Sequence, residues 1–215
     1  MKYRYGIQPN WRRSMGGFTL VELMISTGVF SVVLLICTTA VLVIGQDFHK
    51  ASIASLTQNT SRNIIDNITR ELQYNTGSVT IDTSATVHVV CIGTVRYSFL
   101  LGYELVDGTF DSIKQQSPHV LWRDEYTGNC TPADVTGVLT GGKELMSLHT
   151  RLRAGTGLNI TTDISSKGLY NIDVSVIYGD KDVITTVDKC VSSRSGGAFC
   201  GLSELHTAVF RKDTI

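Results

Sequence analysis

From Phe18 to Ile44 the chain carries one charged side chain, Glu22, in an otherwise apolar run. A helix rises about 1.5 Å per residue, and a bilayer core is about 30 Å thick. The run is therefore long enough to cross a membrane, and the remaining residues must be arranged around such a helix. Glu22 constrains it further. An ionised carboxylate at the centre of a bilayer costs roughly 2.5–3.5 kcal/mol by insertion scales, so a chain that keeps one there needs a partner for it. Lys2, Arg4, Arg12 and Arg13 precede the run with no acidic residue among them. That basic segment marks the cytoplasmic side by the positive-inside rule. An ordinary secretory signal has its apolar core before an A-x-A-like cleavage site. Here Gly16-Gly17 comes first and the apolar core is C-terminal to it, so cleavage at the glycines would leave the helix in place.

The run Gly17-Phe18-Thr19-Leu20-Val21-Glu22-Leu23-Met24, behind its basic leader, resembles the prepilin signal. Type IV pilins, type II secretion pseudopilins and competence pseudopilins share that signal. The resemblance implies cleavage after Gly17 by a membrane-embedded prepilin peptidase and N-methylation of the new terminus, Phe18. It implies that Glu22 pairs with the N-terminal amine of a neighbouring subunit during assembly. The implied partners are the peptidase, other pilin or pseudopilin subunits and an inner-membrane assembly platform. The implied location is the plasma (inner) membrane, single-pass with a cytoplasmic N-terminus, and then a pilus or pseudopilus at the cell surface or in the periplasm.

The helix is expected to continue beyond the membrane. Gln46-Asp47 marks the exit from lipid. Ile53, Leu56, Ile64, Ile68 and Leu72 recur at three-, four- and eight-residue steps, an amphipathic stripe. No proline interrupts residues 18–75, and Asn75-Thr76-Gly77 supplies a stop. One helix of about 57 residues would be roughly 85 Å long. The cover for its stripe must come from the residues C-terminal to it. Residues 78–82, 86–92, 94–100, 104–106, 120–126, 170–177 and 183–187 read as strands, and 143–152 reads equally as a short helix or a strand. Val87, Val89 and Cys91 alternate with His88 and Val90; Tyr170, Ile172, Val174 and Val176 alternate with Asn171, Asp173 and Ser175. Period two with one apolar face suits a sheet packed on a helix. Asp107-Gly108 and Gly179-Asp180 read as hairpin turns. The expected fold class is α+β, a long N-terminal helix packed against a C-terminal antiparallel β-sheet domain. Its divisions are a leader at 1–17, a membrane and filament-core helix at 18–45, an amphipathic continuation at 46–76 and a β-rich domain at 77–215.

Cys37 lies within the apolar run and reads as a small apolar filler. Cys91, Cys130, Cys190 and Cys200 lie in the exported part, where an even number suggests two disulfides among three possible pairings. Cys190 and Cys200 enclose a nine-residue loop with Gly196-Gly197, which favours that local pair and leaves Cys91 with Cys130. Zinc is the alternative, but no C-x-x-C and no nearby histidine pair supports it, so no metal is expected. His49, His88, His119, His149 and His206 are scattered. Asp107 to Asp111 and Asp180-Lys181-Asp182 could offer carboxylates to calcium, yet neither fits an EF-hand and turns are acidic for ordinary reasons. Residues 192–197 are Gly- and Ser-rich without a P-loop lysine. Trp122 reads as core. No nucleophile elbow, Cys–His pair or cofactor box is present, so neither an enzyme nor a cofactor is expected. Without the four leader cations, 15 of the 19 basic side chains remain against 19 acidic ones. That balance gives no general argument for nucleic-acid binding.

The resemblance extends more weakly beyond the helix. Residues 62–72, Leu121-Trp122-Arg123 and a late sheet look like the larger minor pilins and J-type minor pseudopilins. Many major pilins carry a proline in the membrane helix, and this chain has none there. The expected role is a minor subunit, at the fibre tip or in initiation of assembly. Two alternatives are a type II secretion pseudopilin and a tip adhesin or DNA-binding module. The last would use a basic patch formed by Arg151, Arg153, Arg194, Arg211 and Lys212 and presented by the 190–200 loop.

Overall fold

The computed structural model describes residues 17–162, 168–179, 184, 189–190 and 200–211. One helix, α1, runs Leu20–Tyr74, and the chain divides into two compact units between Gly45 and Gln46. In the first unit every described side chain is exposed. The helix there is apolar all round and long enough to cross a membrane. Its hydroxyls are turned onto its own backbone. Thr27 Oγ1 donates to Leu23 O at 3.0 Å, Ser31 Oγ to Gly28 O at 2.8 Å, Thr38 Oγ1 to Leu34 O at 2.7 Å and Thr39 Oγ1 to Ile36 O at 2.9 Å. Ser26 Oγ likewise donates to Glu22 O. An unpaired hydroxyl in hydrocarbon is costly, and back-bonding to the preceding turn removes that cost.

In the second unit α1 buries Ile53, Thr57, Thr60, Ser61, Ile64, Ile68 and Leu72. Steps of three and four keep these residues on one face. The stripe is aliphatic at both ends and polar in the middle, while Leu56 is half-buried. Thr57 Oγ1 donates to Ile53 O at 3.1 Å, Ser61 Oγ donates to Thr57 O at 2.9 Å, and Thr60 Oγ1 lies 2.8 Å from Ser147 Oγ. The helix ends through its own side chain. Asn75 Oδ1 accepts the Gly77 N–H at 3.1 Å, turning the chain away. Gly77 then passes over Gly93 so closely that a Cβ would strike the Gly93 Cα. Gly93 itself has φ +61, which glycine adopts without strain.

The architecture is α+β, with the helix packed against mainly antiparallel sheets. The first sheet contains β1 (Val79–Asp82), β2 (His88–Ile92), β3 (Val95–Phe99), β6 (Leu121–Glu125) and β7 (Gly142–Glu144), in the order β1-β2-β3-β6-β7. The second contains β4 (Glu104–Leu105), β5 (Gln116–Ser117), β8 (Thr150–Leu152), β9 (Leu158–Thr162), β10 (Leu169–Tyr178) and β11 (Gly201–Phe210). Its order is β11-β10-β8-β4-β5, with β9 also paired to β10. A single core joins both sheets to the helix. Ile64, Ile68 and Leu72 meet Val90, Ile92, Tyr97 and Phe99 of the first sheet and Leu152, Ile172, Val174 and Val176 of the second. Fully burying each such side chain contributes about 1.5–3 kcal/mol.

Several elements differ from the sequence reading. Residues 143–152 hold the end of β7 and all of β8, with no helix. β9 and the ten-residue β11 are not among the expected strands. The strand expected at 183–187 lies outside the described residues except for Ile184, which bridges Cys190. Asp107-Gly108 does not close a hairpin, because β4 and β5 on either side of it pair in parallel. The expected alternation also fails on β2, where Val89, Val90, Cys91 and Ile92 are all buried. The middle of the first sheet, around β2 and β3, is covered on both faces. Its far face, with Ser98 and Trp122, lies under residues 127–140. Ala133 N–H donates to Ser98 Oγ at 2.8 Å, Arg96 Nη1 donates to Thr131 O at 2.8 Å, and Leu100, Trp122, Ala133 and Val135 form a second small core.

Candidate functional site

The candidate assembly site is the start of α1. Gly17 is exposed, and no atom would lie within 4 Å of a Cβ there. Phe18 is likewise exposed. Thr19 is the N-cap of the helix and Glu22 its N3 residue. Glu22 N–H donates to Thr19 Oγ1 at 3.3 Å, and Glu22 Oε2 accepts the Thr19 backbone N–H at 3.0 Å and the Thr19 hydroxyl at 2.9 Å. This is a reciprocal capping box, and its T-x-x-E signal stands in the sequence at Thr19-Leu20-Val21-Glu22. The sequence reading gave Glu22 one role and missed this second, local one. A carboxylate at a helix N-terminus also faces the positive end of the macrodipole. Both bonds to the carboxylate fall on Oε2; Oε1 makes none among the described residues. The acid is held in position through one oxygen by its own helix.

The disulfides lie in the β unit. Cys91 is joined to Cys130 and Cys190 to Cys200, across separations of 39 and 10 residues. The first ties the 127–140 segment to the far face of β2. Cys37 is a free, exposed thiol on the membrane-length helix.

The basic residues are dispersed. Arg151 is buried, with Nη2 3.2 Å from Glu104 Oε2 and 3.1 Å from Gly179 O. Arg153 pairs with Glu204, and Arg211 donates to Gly77 O. Arg194 and Lys212 lie outside the described residues, as do Asp180-Lys181-Asp182 and the 192–197 loop. The histidines have local partners. His149 Nδ1 is 3.0 Å from Glu104 Oε1, His206 Nδ1 is 2.6 Å from Asp173 Oδ1, His119 lies edge-on to Trp122, and His88 stacks on Phe99. Burial pushes the His88 imidazole below its ordinary value. Asp111 caps a turn, accepting the N–H groups of Ile113 and Lys114 at 2.9 and 3.0 Å, and those bonds hold its carboxyl low. Glu144 is a half-buried acid in the β unit. Val120, Leu121 and Met146 donate backbone N–H to it at 3.1, 2.9 and 3.1 Å. Burial outweighs these bonds and pushes its carboxyl above the ordinary range.

Residues 12–38 match the family model of the prokaryotic N-terminal methylation motif, the signature of type IV pilins and pseudopilins. No curated protein and no solved structure matches the chain. The motif implies processing by prepilin peptidase and assembly with other pilins. With the apolar helix behind it, the motif fits a membrane-anchored pilin.

Proposed function

We propose that this chain, which carries the type IV pilin and pseudopilin signature, is a minor subunit of a pilus-like fibre that acts at the tip or in initiation. The observation that carries this reading is the acid at the third position of a helix exposed and apolar all round, five residues after the methylation-motif glycine. The chain is inserted with its leader in the cytoplasm, cut after Gly17 and methylated on Phe18. It leaves the bilayer when neighbouring helices replace lipid around residues 18–45. A neighbour's N-terminal amine then meets Glu22. Burying such a pair gives little net stability, but leaving one partner out costs about 3–5 kcal/mol. The pair thus sets register more than strength, and the work is mechanical, not catalytic. A minor role is supported by the large β unit, with two sheets and two disulfides, and by a membrane helix without proline.

A type II secretion pseudopilin would use the same helix in the same way. A basic nucleic-acid-binding patch has less support, because Arg151 and Arg211 are buried and bonded within the domain and the charge of Arg153 is matched by Glu204. Mass spectrometry of sheared, purified fibres tests the proposal. The expected result is a chain beginning at N-methyl-Phe18, present far below the major subunit. An N-terminus elsewhere rejects the processing, and parity with the major subunit rejects the minor role.

A further inference from the structure

The solvent face of β10 and β11 carries a cleft of about 230 Å³. Its floor is four residues in two directly opposed pairs, Asp173 with His206 and Ser175 with Glu204. Its wall is the β8–β9 connection. β8 pairs with β10 at residues 176–178 and β9 pairs with it at 170–174, so Ser175 falls between them. Arg153 N–H donates to Ser175 O at 3.0 Å, and Ser175 N–H donates to Gly157 O at 2.8 Å. Both ends of the connection are therefore tied to one residue, and Ala154-Gly155-Thr156 loop out between them. Gly155 supplies φ +77, and a Cβ on Gly157 would fall 2.6 Å from Arg153 O.

The cleft mixes donors and acceptors. Arg153 bonds Glu204, His206 Nδ1 lies 2.6 Å from Asp173 Oδ1, and Asn159 Nδ2 donates to Asp173 Oδ2 at 3.4 Å. Ser175 is 4% exposed, and its Oγ has no hydrogen-bond partner among the described residues. A buried hydroxyl without a partner costs free energy, and one lining a cleft is a docking point for a ligand's polar group. An anion would meet the carboxylates of Asp173 and Glu204. A cation would meet the Arg153 guanidinium. A neutral diol fits both, since each hydroxyl donates to a carboxylate while accepting from a guanidinium, amide or serine. The volume lies below the ~300–1,000 Å³ of drug-sized sites, which limits the ligand to about one ring.

We propose that this cleft binds one pyranose ring of a neutral saccharide, with hydroxyls set between Arg153, Asp173, Ser175 and Glu204. The lining residues include no Phe, Tyr or Trp to stack on the sugar, and the His206 ring is held by Asp173, so binding is weak, with Kd in the millimolar range. This proposal goes beyond assembly and does not depend on it. The test is saturation-transfer NMR on the full chain in phosphocholine micelles, which contain no sugar. The probes are glucose, galactose and N-acetylglucosamine. Transfer to at least one is expected, weakened about threefold by Ser175→Ala and more than about tenfold by Asp173→Asn or Glu204→Gln. His206→Gln alters a side chain 72% exposed, so it leaves the fold intact and is expected to weaken binding as well. The proposal is overturned if no probe receives transfer. Equal transfer in wild type and His206→Gln, or displacement of the sugar by inorganic phosphate, would overturn it too.

Discussion

Val32 and Ile64 lie on the same helix, yet Val32 is 56% exposed and Ile64 has no accessible surface. The difference lies in what surrounds each on the helix. Around Ile64 the apolar residues form a stripe, and the polar residues Arg62, Asn63 and Asp66 take the exposed side. Around Val32 the apolar residues go all the way round. A stripe is a surface that the same chain covers, whereas an all-round apolar cylinder needs lipid or other helices. The two acids repeat the contrast. Glu144, inside the β unit, accepts three backbone N–H groups spread over both oxygens. Glu22 is capped through one oxygen by its own N-cap residue.

The largest expected effect tests whether the first half of α1 is completed by other chains. Glu22→Leu is predicted to insert and be cleaved, yet to be depleted from fibres by more than about a hundredfold, in line with the ~3–5 kcal/mol cost of one unpaired partner. Glu22→Gln sharpens the test, because it keeps an oxygen for the Thr19 cap and removes the charge. Quantitative mass spectrometry of fibres against the membrane fraction reads both variants. Depletion of both supports a charge pair. Normal entry of Glu22→Gln would reduce the acid to a helix cap and break the contrast with Glu144.

A smaller effect belongs to the second half. Ile68→Ala opens a cavity in the core and is expected to lower the unfolding free energy of the β unit by about 2–5 kcal/mol. Val32→Ala should leave it unchanged within about 0.5 kcal/mol. Denaturant unfolding in micelles of the chain from Phe18 onward, tracked by the fluorescence of Trp122, measures both. Equal losses would mean that the first half is also covered by its own domain.

How far the sequence discloses this molecule depends on the same division. The helix was legible from Phe18 to Gly77 because hydropathy and period act locally. The β strands with alternating or β-branched residues, at 79–82, 88–92, 95–99, 121–125 and 169–178, were legible for the same reason. β11 was not. Gly201-Leu202-Ser203-Glu204-Leu205-His206 has weak alternation and charges on its outward side, and its pairing with β10 comes from tertiary contact. The covered far face of the first sheet was also hidden, because its cover is an irregular segment that lacks a period of its own. At the helix start the motif was plain, and T-x-x-E at Thr19–Glu22 carries the capping box. The cleft was invisible, since it depends on β8 and β9 meeting the same edge of β10.

The smallest predicted effect concerns the polar middle of the stripe. Thr60 is buried, and its hydroxyl meets Ser147 Oγ at 2.8 Å. Valine has nearly the same shape and helix propensity, so Thr60→Val isolates the hydrogen bond. The expected loss is about 0.5–1.5 kcal/mol, the net worth of one such bond. Thr38 provides the matching control in the first half, where its hydroxyl bonds Leu34 O within its own helix. That carbonyl already serves the helix ladder, so Thr38→Val should not change unfolding of the β unit. The cycle with Ser147→Ala separates pair from site. If the loss belongs to the pair, Thr60→Val should cost little once Ser147 has lost its hydroxyl. A full additive loss would mean that valine is a poor fit at this position whatever Ser147 does. The polar middle of the stripe would then be a matter of packing, and the contrast between the two halves would rest on their apolar residues alone.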